Sequence, residues 1–175
     1  MDAKAFVDEY LGRNTDALND VIDALFWYGE PAMQEVRSAA LLTKILEDGG
    51  FTVERGISGF PTGFMATFGS GGPVVAVHAE YDGAPDNSQL PGVSEHKAII
   101  PGAPGHCEGH NVNAAVMVAA ARAVSRAMRD HGIKGTLKIF GAPAEELVLA
   151  RPYYVRDGYF DDVDVAFHPH LLERF

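Results

Sequence analysis

The sequence predicts an α/β fold in which helices cover a mixed, largely parallel sheet. Two observations carry this. Apolar residues recur at helical spacing over the first fifty positions and again from Asn111 to Arg129. From residue 51 onward, short strand-like runs alternate with helical ones, the pattern of a sheet covered by crossover helices. The 175 residues are 47% hydrophobic and 22% charged, enough for one domain with a sizeable core.

The elements follow in order. Phe6, Tyr10 and Leu11, then Val21, Leu25 and Tyr28, then Val36, Ala40, Leu41 and Ile45 mark helical faces. Pro31 interrupts this run and is expected to open the next helix, which Gly49-Gly50 stops. Phe51 to Arg55 reads as a short strand. Thr62 to Phe68 and Val74 to Glu80 read as stronger ones, joined by the turn signal Ser70-Gly71-Gly72-Pro73. The apolar run Val74 to Val77 suits a strand buried on both faces.

Periodicity is lost from Tyr81 to Gly109, a stretch long enough to suggest function rather than a plain surface excursion. Asn111 to Arg129, with seven alanines and Gly132 beyond its end, is the clearest helix. Thr136 to Gly141 is a strand, Glu145 to Arg156 a helix bent at Pro152, and Val163 to Phe167 the last strand.

Twenty-four acidic against fourteen basic residues leave a net charge of −10. That balance argues against nucleic acid or an anionic membrane as a partner. The single cysteine, Cys107, rules out an intrachain disulfide and a Cys-based zinc ribbon. The acidic N-terminus has no secretory character. The longest apolar run, Ala114 to Ala121, is far short of the ~20 residues a membrane helix needs. A cytoplasmic setting is therefore expected.

Ligand sites of open α/β sheets lie beyond the carboxyl ends of the strands. Three clusters fall at such places: His78 to Asp82, His106 to Asn111, and the strand ends Glu145-Glu146 and His168-Pro169-His170. Clustered His, Asp and Glu are what a metal site requires. On extended backbone His106, Glu108 and His110 point the same way and could face one cavity. In the Glu145-Glu146 pair one carboxylate can bind a metal while the other handles a proton. The plain alternative is a helix N-terminus that welcomes two acids. His131 reads as a helix-end residue and His96 as a solvated one. No GxSxG elbow, phosphate loop or GxGxxG motif is present. Cys107 beside His106 or His110 is a possible thiol nucleophile, although a lone cysteine is more often simply buried.

The strings His78-Ala79-Glu80-Tyr81-Asp82, Gly105-His106-Cys107-Glu108-Gly109-His110-Asn111, Gly141-Ala142-Pro143-Ala144-Glu145-Glu146 and His168-Pro169 resemble the amidohydrolase branch of the aminoacylase/carboxypeptidase G metallopeptidase family. Four motifs in order and spacing span nearly the whole chain, closest in look to the aminobenzoyl-glutamate hydrolases.

The resemblance implies a three-layer α/β sandwich, with residues 1–175 forming the N-terminal part of a zinc-peptidase-like catalytic domain. The lid or dimerisation domain and the remaining catalytic segment would lie outside this chain. It implies one or two divalent ions, Mn²⁺ or Zn²⁺, per site. Glu145 takes the role of general base, and Glu108, His110, Glu146 and His168 those of metal ligands, with His170 in reserve. Asp82 matches an orienting acid, and Glu80 falls where other branches place a ligand histidine. Glu108 stands where this branch usually has a cysteine, which moves preference from Zn²⁺ toward a harder ion.

The implied reaction is hydrolysis of a C–N bond in a small aromatic amide such as aminobenzoyl-glutamate, or hydrolytic deamination of an activated aromatic amine such as 5-nitroanthranilate. A second chain or segment and a homo-oligomer are the expected partners, because the last strand would otherwise lack neighbours. A non-catalytic metal-binding or scaffold subunit is the competing expectation.

Overall fold

A computed structural model describes residues 2–171. Three helices open the chain: α1 (Ala3–Arg13), α2 (Thr15–Tyr28) and α3 (Val36–Asp48). Strands β1 (Thr52–Arg55), β2 (Phe64–Ser70) and β3 (Val74–Glu80) follow, then α4 (His110–His131), β4 (Gly135–Ala142), α5 (Ala150–Arg156) and β5 (Val165–Phe167). The sheet order is β1-β2-β4-β3-β5. β2 is antiparallel to both its neighbours, whereas β3 pairs in parallel with β4 and β5. Four of the five strands therefore run one way, as a mixed, largely parallel sheet should.

Period-two alternation divides the core between two faces. Phe64, Ala66, Ala79, Leu137 and Ile139 point toward α2, α3 and α4, where they meet Leu25, Leu42, Leu46 and Val118. Ala76 and Phe140 point the other way, onto Ala150 and Tyr154 of α5 and onto Ile57 and Phe60. Leu25, Leu42 and Leu46 are fully buried, worth about 1.5–3 kcal/mol each by transfer. The alanines of α4 let it lie close on the sheet. Its Arg122 and Arg129 donate to Ile45 O at 2.6 Å and Gly49 O at 3.1 Å. Two cations thus sit at the carboxyl end of α3, where the helix dipole favours positive charge.

Several expectations are corrected. The turn at Ser70–Pro73 does join β2 and β3, but β4 lies between them. β4 is the strand buried at every position, while Val74, Val75 and Val77 of β3 are only half-buried. The cause is position: β4 has long strands on both sides, β3 has three-residue β5 on one. Pro31 does not open α3. It bridges to Gly83, and the helix starts five residues later behind Glu35. The helix expected from Glu145 splits into a short 3-10 turn, Glu145–Leu147, and α5, because Ala144 and Val148 adopt left-handed backbone with φ of 55° and 54°. Pro152 sits in the first turn of α5, where no N–H is needed. β5 pairs with β3 rather than lacking a partner, although Val165 and Phe167 are exposed.

The aperiodic stretch after β3 folds back on itself. Ala84 bridges to Gly105, and Ser88 N donates to Ala103 O at 3.0 Å. Both ends of the excursion are thereby returned to the carboxyl edge of β3.

Candidate metal centre

Parallel strands β3 and β4, short β5 and the N-terminus of α4 all deliver residues to one edge of the sheet. β3 ends in Glu80 and leads to Asp82. β4 leads through Pro143 and Ala144 to Glu145 and Glu146. β5 leads to His168, Pro169 and His170. α4 begins at His110, released from the loop by Gly109 in left-handed backbone at φ 95°.

His110 is the centre of the arrangement and only 1% of its side chain is exposed. Its Nδ1 lies 3.1 Å from both the carboxylate Oδ1 and the main-chain oxygen of Asp82. Both are acceptors, so Nδ1 carries a proton, and Nε2 is the nitrogen that would offer a lone pair to an ion that displaces its own proton. Nε2 is buried and has no hydrogen-bond partner among the described residues. It faces Glu108 Oε1 at 3.6 Å, Glu80 Oε2 at 3.7 Å and Glu145 Oε2 at 3.8 Å. Burial works against a charged ring here, yet the bond to Asp82 and the charges of Asp82 and Glu80 outweigh it and raise His110 to about 9. Carboxylates crowded this closely attract whatever cation is at hand.

Glu80 is fully buried. Its Oε1 meets His168 Nε2 at 2.8 Å and the Arg151 guanidinium, and its Oε2 accepts from Asn113 Nδ2 at 3.4 Å and lies 4.0 Å from His170 Nε2. Arg151 also holds Glu145 Oε1 through its second nitrogen, so the guanidinium bridges the two carboxylates. Asp82 uses its other oxygen to accept the Glu146 N–H at 3.1 Å. One buried carboxylate therefore ties His110 to the Glu145-Glu146 turn. Glu146 shares a hydrogen bond with Glu108, and that bond pushes its carboxyl up to about 7 while Glu108 is held low. Two acids this close do not both carry a charge.

Of the residues expected at the site, Glu108, His110 and Glu145 converge, with ligand atoms all within 4.8 Å of one another. Glu146 joins through Glu108. His168 lies on the far side of Glu80, against Arg151 at 3.4 Å, while the reserve His170 falls in a second such group with Glu80 and His110. His106 does not face the cavity. The segment is not extended but bends at Cys107 and Glu108, and His106 turns its Nε2 to Leu25 O at 3.1 Å. Cys107 is exposed, and partial desolvation together with the charges of Glu108 and Glu146 raises its thiol, the opposite of an activated nucleophile. His96 is exposed, and His131 sits at the end of α4 against the Phe6 ring. Arg151 and Asn113 escape a reading by motif. The only sequence signal for Arg151 is a cation six residues after Glu145.

The donor set fits a divalent cation. A buried, unpartnered imidazole nitrogen is oriented from behind by a carboxylate, as histidine ligands usually are. Carboxylate oxygens surround it, a hard set suited to a hard ion. Among the described residues no helix is long and apolar enough to cross a membrane.

No family model matches the chain. It is 37% identical over 166 residues to one subunit of the p-aminobenzoyl-glutamate hydrolase of Escherichia coli (strain K12), a match that covers 94% of this chain and 34% of the relative. It is 27% identical over 150 residues to the N-acetyl-L-cysteine deacetylase of Bacillus subtilis (strain 168), covering 83% of this chain and 34% of that one. Among solved structures, the YXEP protein of Bacillus subtilis, described as a dinuclear metal binding peptidase of the M20 family, superposes with a TM-score of 0.73 at 25% identity, over 97% of this chain and 44% of that one. The resemblance carried by the motifs holds: the chain is related, by sequence and by fold, to the amidohydrolases of the M20 metallopeptidase family. Within that family its most extensive similarity among these is to the aminobenzoyl-glutamate hydrolase subunit. The chain spans about a third of the length of the curated relatives it matches.

Proposed function

We propose that this chain is the N-terminal, metal-binding part of a hydrolase catalytic domain that breaks a C–N bond in a small aromatic amide. The observation that carries the proposal is the buried Nε2 of His110, backed by Asp82 and facing three carboxylates with no hydrogen-bond partner among the described residues. Glu108, His110, Glu146 and His168 would hold the ion, with His170 as the alternative to His168. The oxygen-rich set favours Mn²⁺ or another hard ion over Zn²⁺. A divalent ion, when bound, acidifies water toward neutrality and polarises a carbonyl.

This chain's own residues supply the rest. Arg151 holds one oxygen of Glu145 and leaves the other facing His110. Glu145 then takes a proton from the attacking water and returns it to the leaving nitrogen. Asp82 keeps the His110 lone pair aimed at the site. The similarity to a p-aminobenzoyl-glutamate hydrolase subunit supports an aromatic amide as substrate. Hydrolytic deamination of an activated aromatic amine such as 5-nitroanthranilate is the variant of this chemistry to test beside it. That the relative is one subunit of its enzyme supports a second chain in the working form of this one.

Native mass spectrometry of the purified protein with added Mn²⁺ or Zn²⁺ tests the site. One or two bound ions, lost in His110→Ala, are expected; an ion-free protein overturns the proposal. In the active enzyme Glu145→Gln should abolish turnover with metal retained, and Cys107→Ala should leave turnover unchanged. The reverse pattern would replace this mechanism by a thiol one. Bound metal without turnover of either substrate class would favour a non-catalytic subunit.

A further inference from the structure

Glu35 is a fully buried carboxylate outside the cluster just described. It occupies the N-cap position of α3, where an acid normally accepts from its own helix, yet its side chain makes no such bond. Glu30 caps the helix in its place. The Glu30 carboxylate accepts from Arg37 N at 3.0 Å and from Ser38 N and Oγ at 2.9 and 2.8 Å. Glu35 is thereby released to turn into the core.

There it accepts three hydrogen bonds from three separate segments. Met33 N and Ala144 N both donate to Oε1 at 2.9 Å, and Thr62 Oγ1 donates to Oε2 at 2.8 Å. Ala144 is the residue before Glu145 and stands in left-handed backbone, φ 55° and ψ 43°. An alanine keeps that conformation only where its surroundings over-determine it. The Glu35 bond to its N–H is one such determinant, and the Asp82 bond to Glu146 N, two residues on, is another. Glu145 is held between the two. Burial pushes the Glu35 carboxyl up against the three donors that pull it down, so α3 carries a costly group at this point.

We infer that Glu35 is a positioning residue for the reaction: it fixes the Ala144 turn and so sets where the Glu145 carboxylate stands relative to His110. The inference rests on the proposed role of Glu145 as base. A base misplaced by about 1 Å loses on the order of a hundredfold in rate.

The test is a cycle of variants in the active enzyme, with kcat, KM and bound metal measured for each at a temperature where all stay folded. Glu35→Ala should lower kcat by about ten- to a hundredfold with KM and metal content near the parent's. Glu35→Gln keeps an acceptor oxygen for Ala144 N and Met33 N, and its amide can donate to Thr62 Oγ1; it should restore kcat to within about threefold of the parent, as expected if one amide–carboxylate exchange keeps the hydrogen bonds. In a Glu145→Asp background, which keeps a carboxylate and a residual turnover but has already displaced it, Glu35→Ala should cost nothing further, because residues acting as a unit are not additive. An equal loss in both backgrounds, or parental kcat in Glu35→Ala, overturns the positioning role while leaving the base intact. Parental kcat in Glu145→Gln overturns the base assignment itself, and the inference with it.

Discussion

Replacing Asp82 with Asn tests the orientation of His110 with almost no change of shape. Asp82 has two acceptor oxygens and spends both: Oδ1 on His110 Nδ1–H at 3.1 Å and Oδ2 on Glu146 N–H at 3.1 Å. The amide has one acceptor oxygen. Whichever way it sits, its NH₂ group confronts a donor. Facing Glu146, it leaves that N–H unsatisfied and loosens the turn that carries both acids. Facing His110, it confronts the Nδ1–H and leaves the main-chain oxygen of residue 82, 3.1 Å away, to hold the ring without the carboxylate. Asp82 is buried, so water does not repair either loss. Loss of a carboxylate behind a histidine ligand costs about 10–100-fold in metal affinity, or about 1.4–2.8 kcal/mol at 1.4 kcal/mol per decade. Calorimetric titration of the metal-free protein with Mn²⁺, run beside circular dichroism to show that the fold is retained, measures it. An Asp82→Asn protein that is folded and binds Mn²⁺ within twofold of the parent would refute the reasoning.

Two further outcomes are expected away from the cluster. A Cβ at Gly69 would collide with Gly135 O, a backbone atom of the paired strand, at a φ of 82°; Gly69→Ala should cost about 2 kcal/mol or more from strain and overpacking, seen as a Tm lower by roughly 4–8 °C with metal affinity unchanged. Glu30 is pushed up by burial but pulled further down by the N–H groups of Ser38 and Arg37, so its folded pKa lies below the ordinary value. Its stabilisation is therefore complete above the unfolded value of about 4.3 and disappears as pH falls through the folded pKa. Urea titrations of Glu30→Gln and the parent should differ at pH 7 and converge as the pH falls below 4; a gap that does not narrow would show that the charge is not what stabilises α3.

Periodicity makes α1 to α4 legible, and α4 extends only a residue or two beyond the expected span. Alternation of strand and helix makes the largely parallel sheet legible. Sheet order is another matter. Nothing local to Ser70–Pro73 says that a strand beginning at Gly135 will part β2 from β3, because that depends on which faces remain to be covered once α4 is in place. The residues of the cluster are legible as chemistry-bearing types near strand ends, but their directions are not. His106 and His110 are four apart and only one faces the site, because the chain bends at Cys107 and Glu108 and turns again at the left-handed Gly109. Glu35 reads as an ordinary helix-start acid, and only the bond to a residue more than a hundred positions away reveals what it touches.

The seat of β4 between β2 and β3 has a consequence for the order of assembly. Val74 pairs with Thr136, and Phe64 with Gly141, so the middle of the sheet is closed by segments far apart along the chain. The entropy of closing those loops must be met before the pairings stabilise anything. On a ribosome, β2 and β3 emerge first with a vacant lane between them. The Glu145-Glu146 turn arrives only with the end of the strand that fills it. The carboxylate-rich edge is thus among the last features to form, and a nascent chain that stops short of Gly135 has His110, Asp82 and Glu80 but not the strand that ties β3 to β2.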